Sequence, residues 1–313
     1  MGAGVATAPP KPAATRIVEL DALRGLAVAG IALMNVLVYA LPAQAYWNPW
    51  AWRGDSGGTL EGWAVAFVLV DGKFRTLFAM LFGAGVAILL ARPGEGVLRG
   101  HYARMAVLFA IGMGHAILLA NNDILRAYAL AGLLLPLFAR RSVRVLWVCV
   151  ALALAAHMIG GLIWIGPAWS SWWSGQPATA ADQWPLAWRF GTLSEAIAAT
   201  LERGNESFAE RIDRRLDRLG PVLANVANSV PVNLAAMLAG MALWQNGLLK
   251  GEWPAARLRR MVVIFAGVAL PLLIALAALQ AKSGFAGTVV GAVATIGAPV
   301  PNLLLGVAYA AAA

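Results

Sequence analysis

The sequence predicts an all-α, polytopic membrane helix bundle of about eight transmembrane helices, with interfacial amphipathic helices beside them. Three observations carry this. Of the 313 residues 60% are hydrophobic and only 12% are charged. Mean hydropathy is +0.71. Apolar windows of spanning length, about 17 to 25 residues, recur down most of the chain.

The expected spans are 22–42, 74–91, 104–120, 124–139, 143–165, 222–247, 260–280 and 287–312. The stretch 124–139 is short and counts as a span because it lies between an Asn/Asp cluster and the pair Arg140-Arg141. Residues 1–20 are Ala/Pro-rich and lack the apolar core of a signal peptide, so a disordered cytoplasmic tail is expected. An N-terminal bundle over 21–165, an extracytoplasmic amphipathic segment over 166–220 and a C-terminal transmembrane part over 221–313 complete the organisation.

A net charge of +9 would suggest nucleic acid in a soluble protein. Here the cations fall at alternate loops: Lys11 and Arg16; Arg92, Arg99 and Arg104; Arg140, Arg141 and Arg144; Lys250, Arg257, Arg259 and Arg260. The positive-inside rule places these loops and the N-terminus in the cytoplasm. The expected partner is the lipid bilayer, not nucleic acid. Arg211, Arg214, Arg215 and Arg218 count against this topology, because they fall outside.

Residues 59–70 are too short to cross and read as an interfacial helix on the outer side. A crossing helix from Phe74 to Ala91 follows, with Lys73 and Arg75 at the outer surface. Trp164, Trp169, Trp172, Trp173, Trp184 and Trp188 suit an outer aromatic belt. Leu193, Ile197, Leu201, Phe208, Ile212, Leu216 and Leu219 then recur at helical steps, predicting an amphipathic helix. Pro221, Pro231, Pro271, Pro299 and Pro301 punctuate the later spans and allow kinks.

The single cysteine, Cys149, excludes an intramolecular disulfide. Three histidines without HExxH-like spacing predict no metal site. There is no GxxxxGK(S/T) loop and no GxGxxG fingerprint, which disfavours nucleotide-driven pumping.

Ionisable groups in lipid are costly and tend to mark function. Asp21, Arg24 and Asn35 share one face of the first span. Asn35 lies eleven residues beyond Arg24 and His115 eleven beyond Arg104, so each sits roughly 16 Å from the cytoplasmic edge. Small residues such as Gly25, Gly30, Gly83, Gly85, Gly112 and Gly114 let these helices approach, enclosing a polar cavity in the outer half.

The stretch IVELDALRGLAVAGIALMN from Ile17 to Asn35, GKFRTLFAMLFGAG from Gly72 to Gly85, and the string from Gly114-His115 to Tyr128 together resemble the YeiB-type bacterial inner-membrane family. That family is related to the transmembrane acyltransferases that include heparan-α-glucosaminide N-acetyltransferase. The resemblance implies passage of an acyl group from cytoplasmic acyl-CoA to a hydroxyl or amine of a carbohydrate or lipid-linked acceptor. Acyl-CoA would be a co-substrate, with no bound cofactor.

On this reading His115 is the base, since imidazole titrates near neutral pH. Asp123 or Asn35 orients it. Lys73, Arg75, Asn122, Arg126 and Tyr128 bind the acceptor, and Asp21 and Arg24 form the acyl-CoA mouth. Simpler roles stand beside these: Asn122 or Asp123 as a helix N-cap, Lys73 and Arg75 as snorkelling cations, Asp21–Arg24 as an internal pair. Two departures from the family pattern occur. Ala79 stands where a serine is usual. The family's later Gly-Arg-Met-x-Leu-Thr-Asn-Tyr-like and Gly-Pro-x-Glu-x-x-Trp-Arg-like blocks are missing, so a fragment is expected. The alternative is a transporter or exporter of a small polar metabolite, which broken helices and intramembrane polar groups serve equally.

Overall fold

The computed structural model describes residues 18–52, 59–120, 123–175 and 180–313. Of the tail expected over 1–20, residues 1–17 lie outside these residues, as does the candidate Asn122, while residues 18–20 already belong to the first helix. Among the described residues all regular structure is helical.

Helix α1 (Val18–Ala40) leads into two 3-10 turns, Ala43–Tyr46 and Pro49–Ala51. Helix α2 (Thr59–Val65) continues as a π-helical segment, Ala66–Val70, and breaks at Asp71-Gly72 before α3 (Lys73–Leu90). Gly72 takes φ +78°, a backbone state that costs glycine little, which is why the turn sits there. Then come α4 (Val97–Leu118), α5 (Leu125–Leu134, prolonged by a 3-10 turn to Phe138) and α6 (Val143–Ser174). Ser142 caps α6 at its start, and Gly175 ends it in the left-handed conformation. Three shorter helices follow: α7 (Ala180–Phe190), α8 (Ser194–Glu202) and α9 (Phe208–Asp217). Helices α10 (Leu219–Gln245) and α11 (Ala255–Lys282) are long. The chain closes with α12 (Gly287–Ala292), a second π segment and α13 (Pro299–Ala312).

Six of these helices are long and apolar enough to cross a membrane: Leu20–Ala40, Thr59–Leu90, Val97–Leu118, Val143–Ser170, Leu219–Gln245 and Ala255–Lys282. The stretches Gly287–Gly297 and Pro299–Ala312, bent by 51° where a π segment meets Pro299, make a seventh if counted together. The described residues thus hold six or seven such helices where about eight were expected. The stretch expected at 124–139 yields only the short helix Leu125–Phe138, tightened to 3-10 geometry at Pro136. Many large apolar side chains on these helices point outward, as lipid contact requires, among them Leu33, Val36, Ile163 and Val263.

Two faces of the bundle are fixed by contacts. On the loop face, Gln44 donates to the carbonyls of Trp188 (3.0 Å) and Ala196 (3.3 Å), and Asn48 to that of Phe190 (3.1 Å). This ties the turn after α1 to the segments after α6. On the opposite face, Arg24 lies beside Gly85 and His101 Nε2 donates to the Gly132 carbonyl at 2.9 Å. The start of α4 thus meets the end of α5.

Three expectations change in detail. Residues 59–70 pack against α1, α11 and α13 instead of lying only at an interface, with Phe67 buried and the Tyr309 hydroxyl donating to the Leu69 carbonyl at 2.8 Å. Helix α6 runs through Pro167 to Ser174, past the boundary expected at 165. The single amphipathic helix expected over 193–219 is divided at Arg203–Asn205 into α8 and α9, because Ser207 and Glu210 form a capping box that starts a new helix.

Helix α9 is the most amphipathic segment, and its arginines have specific work. Arg215 donates to the carbonyls of Ile117 (2.9 Å) and Leu119 (2.7 Å), where the C-terminal end of α4 has no helical donors left. Arg214 pairs with Glu206 through bonds of 2.7 to 2.9 Å. Donation from Arg214 holds the Glu206 carboxyl below its ordinary range. Its contribution is therefore present above the unfolded glutamate pKa of about 4.3 and lost as pH falls below it. An exposed pair of this kind is worth no more than about 1 kcal/mol. Between pH 6 and pH 3, a Glu206→Gln chain should lose less thermal stability than the parent, read as the shift in melting midpoint.

Candidate functional site

Two cavities lie in tandem along α1 and α3. The larger, about 480 Å³, opens near the loop face between α1, α2, the 43–52 turn, α3 and the α12–α13 break. Its wall is mostly apolar and aromatic, including Leu37, Trp47, Trp52, Trp63 and Phe67. Its polar groups are few: Tyr46, Asp71, Arg75, Gln280 and Asn302. A mainly apolar concavity with a small convergent polar set is the ordinary form of a ligand site.

The polar set is assembled by the breaks in the helices. The turn at Asp71-Gly72 brings Asp71 to the Tyr46 hydroxyl, which donates to its carboxylate at 2.6 Å. Burial, reinforced by that carboxylate, pushes the Tyr46 phenol well above its ordinary range, so it stays a donor. Gly72 lets the Asn302 amide lie against the backbone, and the Asn302 Oδ1 is buried without a hydrogen-bond partner among the described residues. Arg75, two residues into α3, is exposed in the cavity, while its main-chain carbonyl accepts from the Tyr128 hydroxyl at 2.8 Å.

The smaller cavity, about 220 Å³, lies toward the opposite face, lined by Arg24, His101 and Arg104 with Phe78, Phe82, Gly85, Val86, Leu89 and Met105. It is cationic. A carbonyl only accepts, so the bond to Gly132 puts the His101 proton on Nε2, leaving Nδ1, which has no partner among the described residues, as an acceptor. Arg75 and Phe78, in the walls of the two cavities, are separated by less than one turn of α3, about 4.5 Å of rise.

The expected site residues divide between several places. Asp21 and Arg24 form the ion pair foreseen at i, i+3, at 2.9 Å, and Arg24 reaches the cationic cavity. Lys73 is fully buried rather than at the outer surface. Its ammonium bonds to the Phe67 carbonyl and lies 5.1 Å from that ring centroid, fastening the π segment to α3. Asp123 accepts from the amides of Leu125 (3.0 Å) and Arg126 (3.2 Å) and pairs with the Arg126 guanidinium at 3.2 Å. Asp123 stands one residue before the N-cap, Ile124, and its carboxylate both satisfies the first amides of α5 and holds an ion pair, both side chains at most 3% exposed. Gly112 of α4 makes room for it.

Tyr128 packs against Phe78 and Phe82 in the core. Asn35 and His115 are half-buried, and neither lines either cavity. Their helices have different chief neighbours: α1 packs on α3, and α4 on α5 and α9. The His115 Nδ1 is buried without a hydrogen-bond partner among the described residues. Tyr46, Asp71, Gln280, Asn302 and His101 were not singled out from the sequence. Spacing of His101 and Arg104 at i, i+3 on α4 is a readable signal, whereas Tyr46, Asp71 and Asn302 share no local pattern.

The chain is 32% identical over 268 residues to the uncharacterized protein YeiB of Escherichia coli K12, a match covering 82% of this chain and 63% of YeiB. It is 30% identical over 142 residues to the uncharacterized protein YxaH of Bacillus subtilis 168, covering 42% of this chain and 34% of YxaH. The chain thus spans less than two thirds of either relative. No family model and no solved structure matches it. The homology supports a YeiB-type family, and the apolar helices a multi-pass membrane protein.

Proposed function

We propose that this YeiB-type chain is a membrane acyltransferase carrying an acyl group from cytoplasmic acyl-CoA to an acceptor hydroxyl or amine at the other side of an inner membrane. The observation that supports this reading best is the tandem of cavities along α1 and α3, one cationic and one aromatic. The arginine-rich loops favour an orientation with the cationic cavity and the N-terminus on the cytoplasmic side. The outward arginines of α9 that argue against this orientation are engaged, Arg215 by α4 and Arg214 by Glu206.

Arg24 and Arg104 are suited to the phosphates of the donor. The thioester then reaches toward the aromatic cavity, where Asp71 with its Tyr46 partner is the carboxylate available as base. The acceptor proton passes to Asp71 as the new acyl bond to oxygen or nitrogen forms, the carbon–sulfur bond breaks, and the departing thiolate is protonated. His115 is the rival base, set apart because it lines neither cavity.

The test is thiol release from acetyl-CoA by membranes holding matched amounts of each chain. Asp71→Asn, which preserves the bond from Tyr46, is expected to lower release by about 100-fold or more. His115→Ala is expected to stay within a few-fold of the parent. The reverse result transfers the base role to His115, and no release above empty membranes from the parent or the longer YeiB overturns acyl transfer in favour of transport.

A further inference from the structure

We infer that the aromatic cavity binds a single-headed anionic lipid, a phosphate monoester on an alkyl chain, entering sideways from the bilayer. Three features carry this.

The first is access. Leu33 of α1 and Val65 of α2 line the cavity and are also 60% and 58% exposed on the outside of the bundle. The cavity wall between α1 and α2 is therefore a surface that lipid touches, and an apolar chain can enter there without crossing water.

The second is charge. Of the residues lining the polar end, Asp71 is acidic and Arg75 basic, and the buried Lys73 lies beside them on α3. Lys73 is buried against the Phe67 carbonyl, and the Asp71 carboxylate accepts from Tyr46. The Arg75 guanidinium has no hydrogen-bond or ion-pair partner among the described residues, and the residue is exposed in the cavity. A cation near membrane depth is stable when it meets an anion, and a guanidinium matches a phosphate in bidentate geometry. The N-terminal end of α3, which favours anions, begins at this wall.

The third is shape. About 480 Å³ lined by Trp47, Trp52, Trp63 and Phe67 fits an apolar tail, while the buried Asn302 Oδ1 needs a donor. A hydroxyl on the head group supplies one. Binding rests on the cavity alone. The further step, that this lipid is the acyl acceptor, rests on the acyl-transfer reading.

The test uses purified protein in micelles with three probes: decyl phosphate, decanol and inorganic phosphate, with complexes counted by native mass spectrometry. Decyl phosphate is expected to bind about tenfold or more tightly than either of the others. Arg75→Gln should remove that advantage. Gly62→Leu should block binding by filling the cavity, since a Cβ at Gly62 meets nothing within 4 Å and the fold tolerates it. Equal binding of decanol, equal binding of inorganic phosphate, or unchanged binding in melting-matched Arg75→Gln protein would each overturn the inference. Thiol release measured on the same samples separates the two claims: binding without release defeats only acyl transfer, and release without binding defeats only this inference.

Discussion

Replacing Gly83 or Gly240 with leucine leaves little folded protein. Helices α3 and α10 form the most extensive pairing in the bundle, and their backbones touch. A Cβ on Gly83 would fall on the Met237 carbonyl oxygen, and one on Gly240 on the Met80 carbonyl oxygen. The two sites are reciprocal, so neither helix can yield without moving the other. Close approach through small residues drives association where lipid removes the usual hydrophobic gain. Overpacking commonly costs about 1 to 3 kcal/mol, and a collision with main chain belongs at or above the upper end. The measurement is the yield of monodisperse protein after detergent extraction. Gly25→Leu, where a Cβ meets nothing within 4 Å, should match the parent; equal yields for all three variants would mean the helices do not pack this closely.

Asp123→Ala carries the second large effect. It removes the carboxylate that caps the first amides of α5 and pairs with the buried Arg126 guanidinium. Breaking a buried pair from one side costs about 3 to 5 kcal/mol, and losing a cap about 1 kcal/mol. The melting midpoint should fall steeply. Replacing Arg126 with methionine in the same chain should recover much of the loss, because the buried charge goes with it. A double variant as unstable as the single one would show that the cap, not the charge, dominates.

What the sequence disclosed, and what it withheld, follows from the range of the forces involved. Long apolar runs declare a span locally, so α1, α4, α10 and α11 were readable. The Asp21–Arg24 pair and the capping position of Asp123 are also local, being set by i, i+3 geometry. The shortness of α5 was hidden because apolar composition alone does not register Pro136 tightening the last turn. Lys73 was expected at the surface because snorkelling is the usual outcome for such a lysine. Its burial depends on a carbonyl of the preceding π segment, which no periodicity reports. The polar set of Tyr46, Asp71 and Asn302 comes from three distant segments and exists only once Gly72 turns the chain.

The clasp of Arg215 on the last carbonyls of α4 has a consequence for how the protein is made. While the chain is being inserted, α4 and α5 are complete long before residue 215 emerges. Until then Ile117 and Leu119 lack that donor, and the junction beside His115 is free to rearrange. The end of α4 is therefore completed only by a segment made about a hundred residues later, which reaches back past α6 to supply its donor.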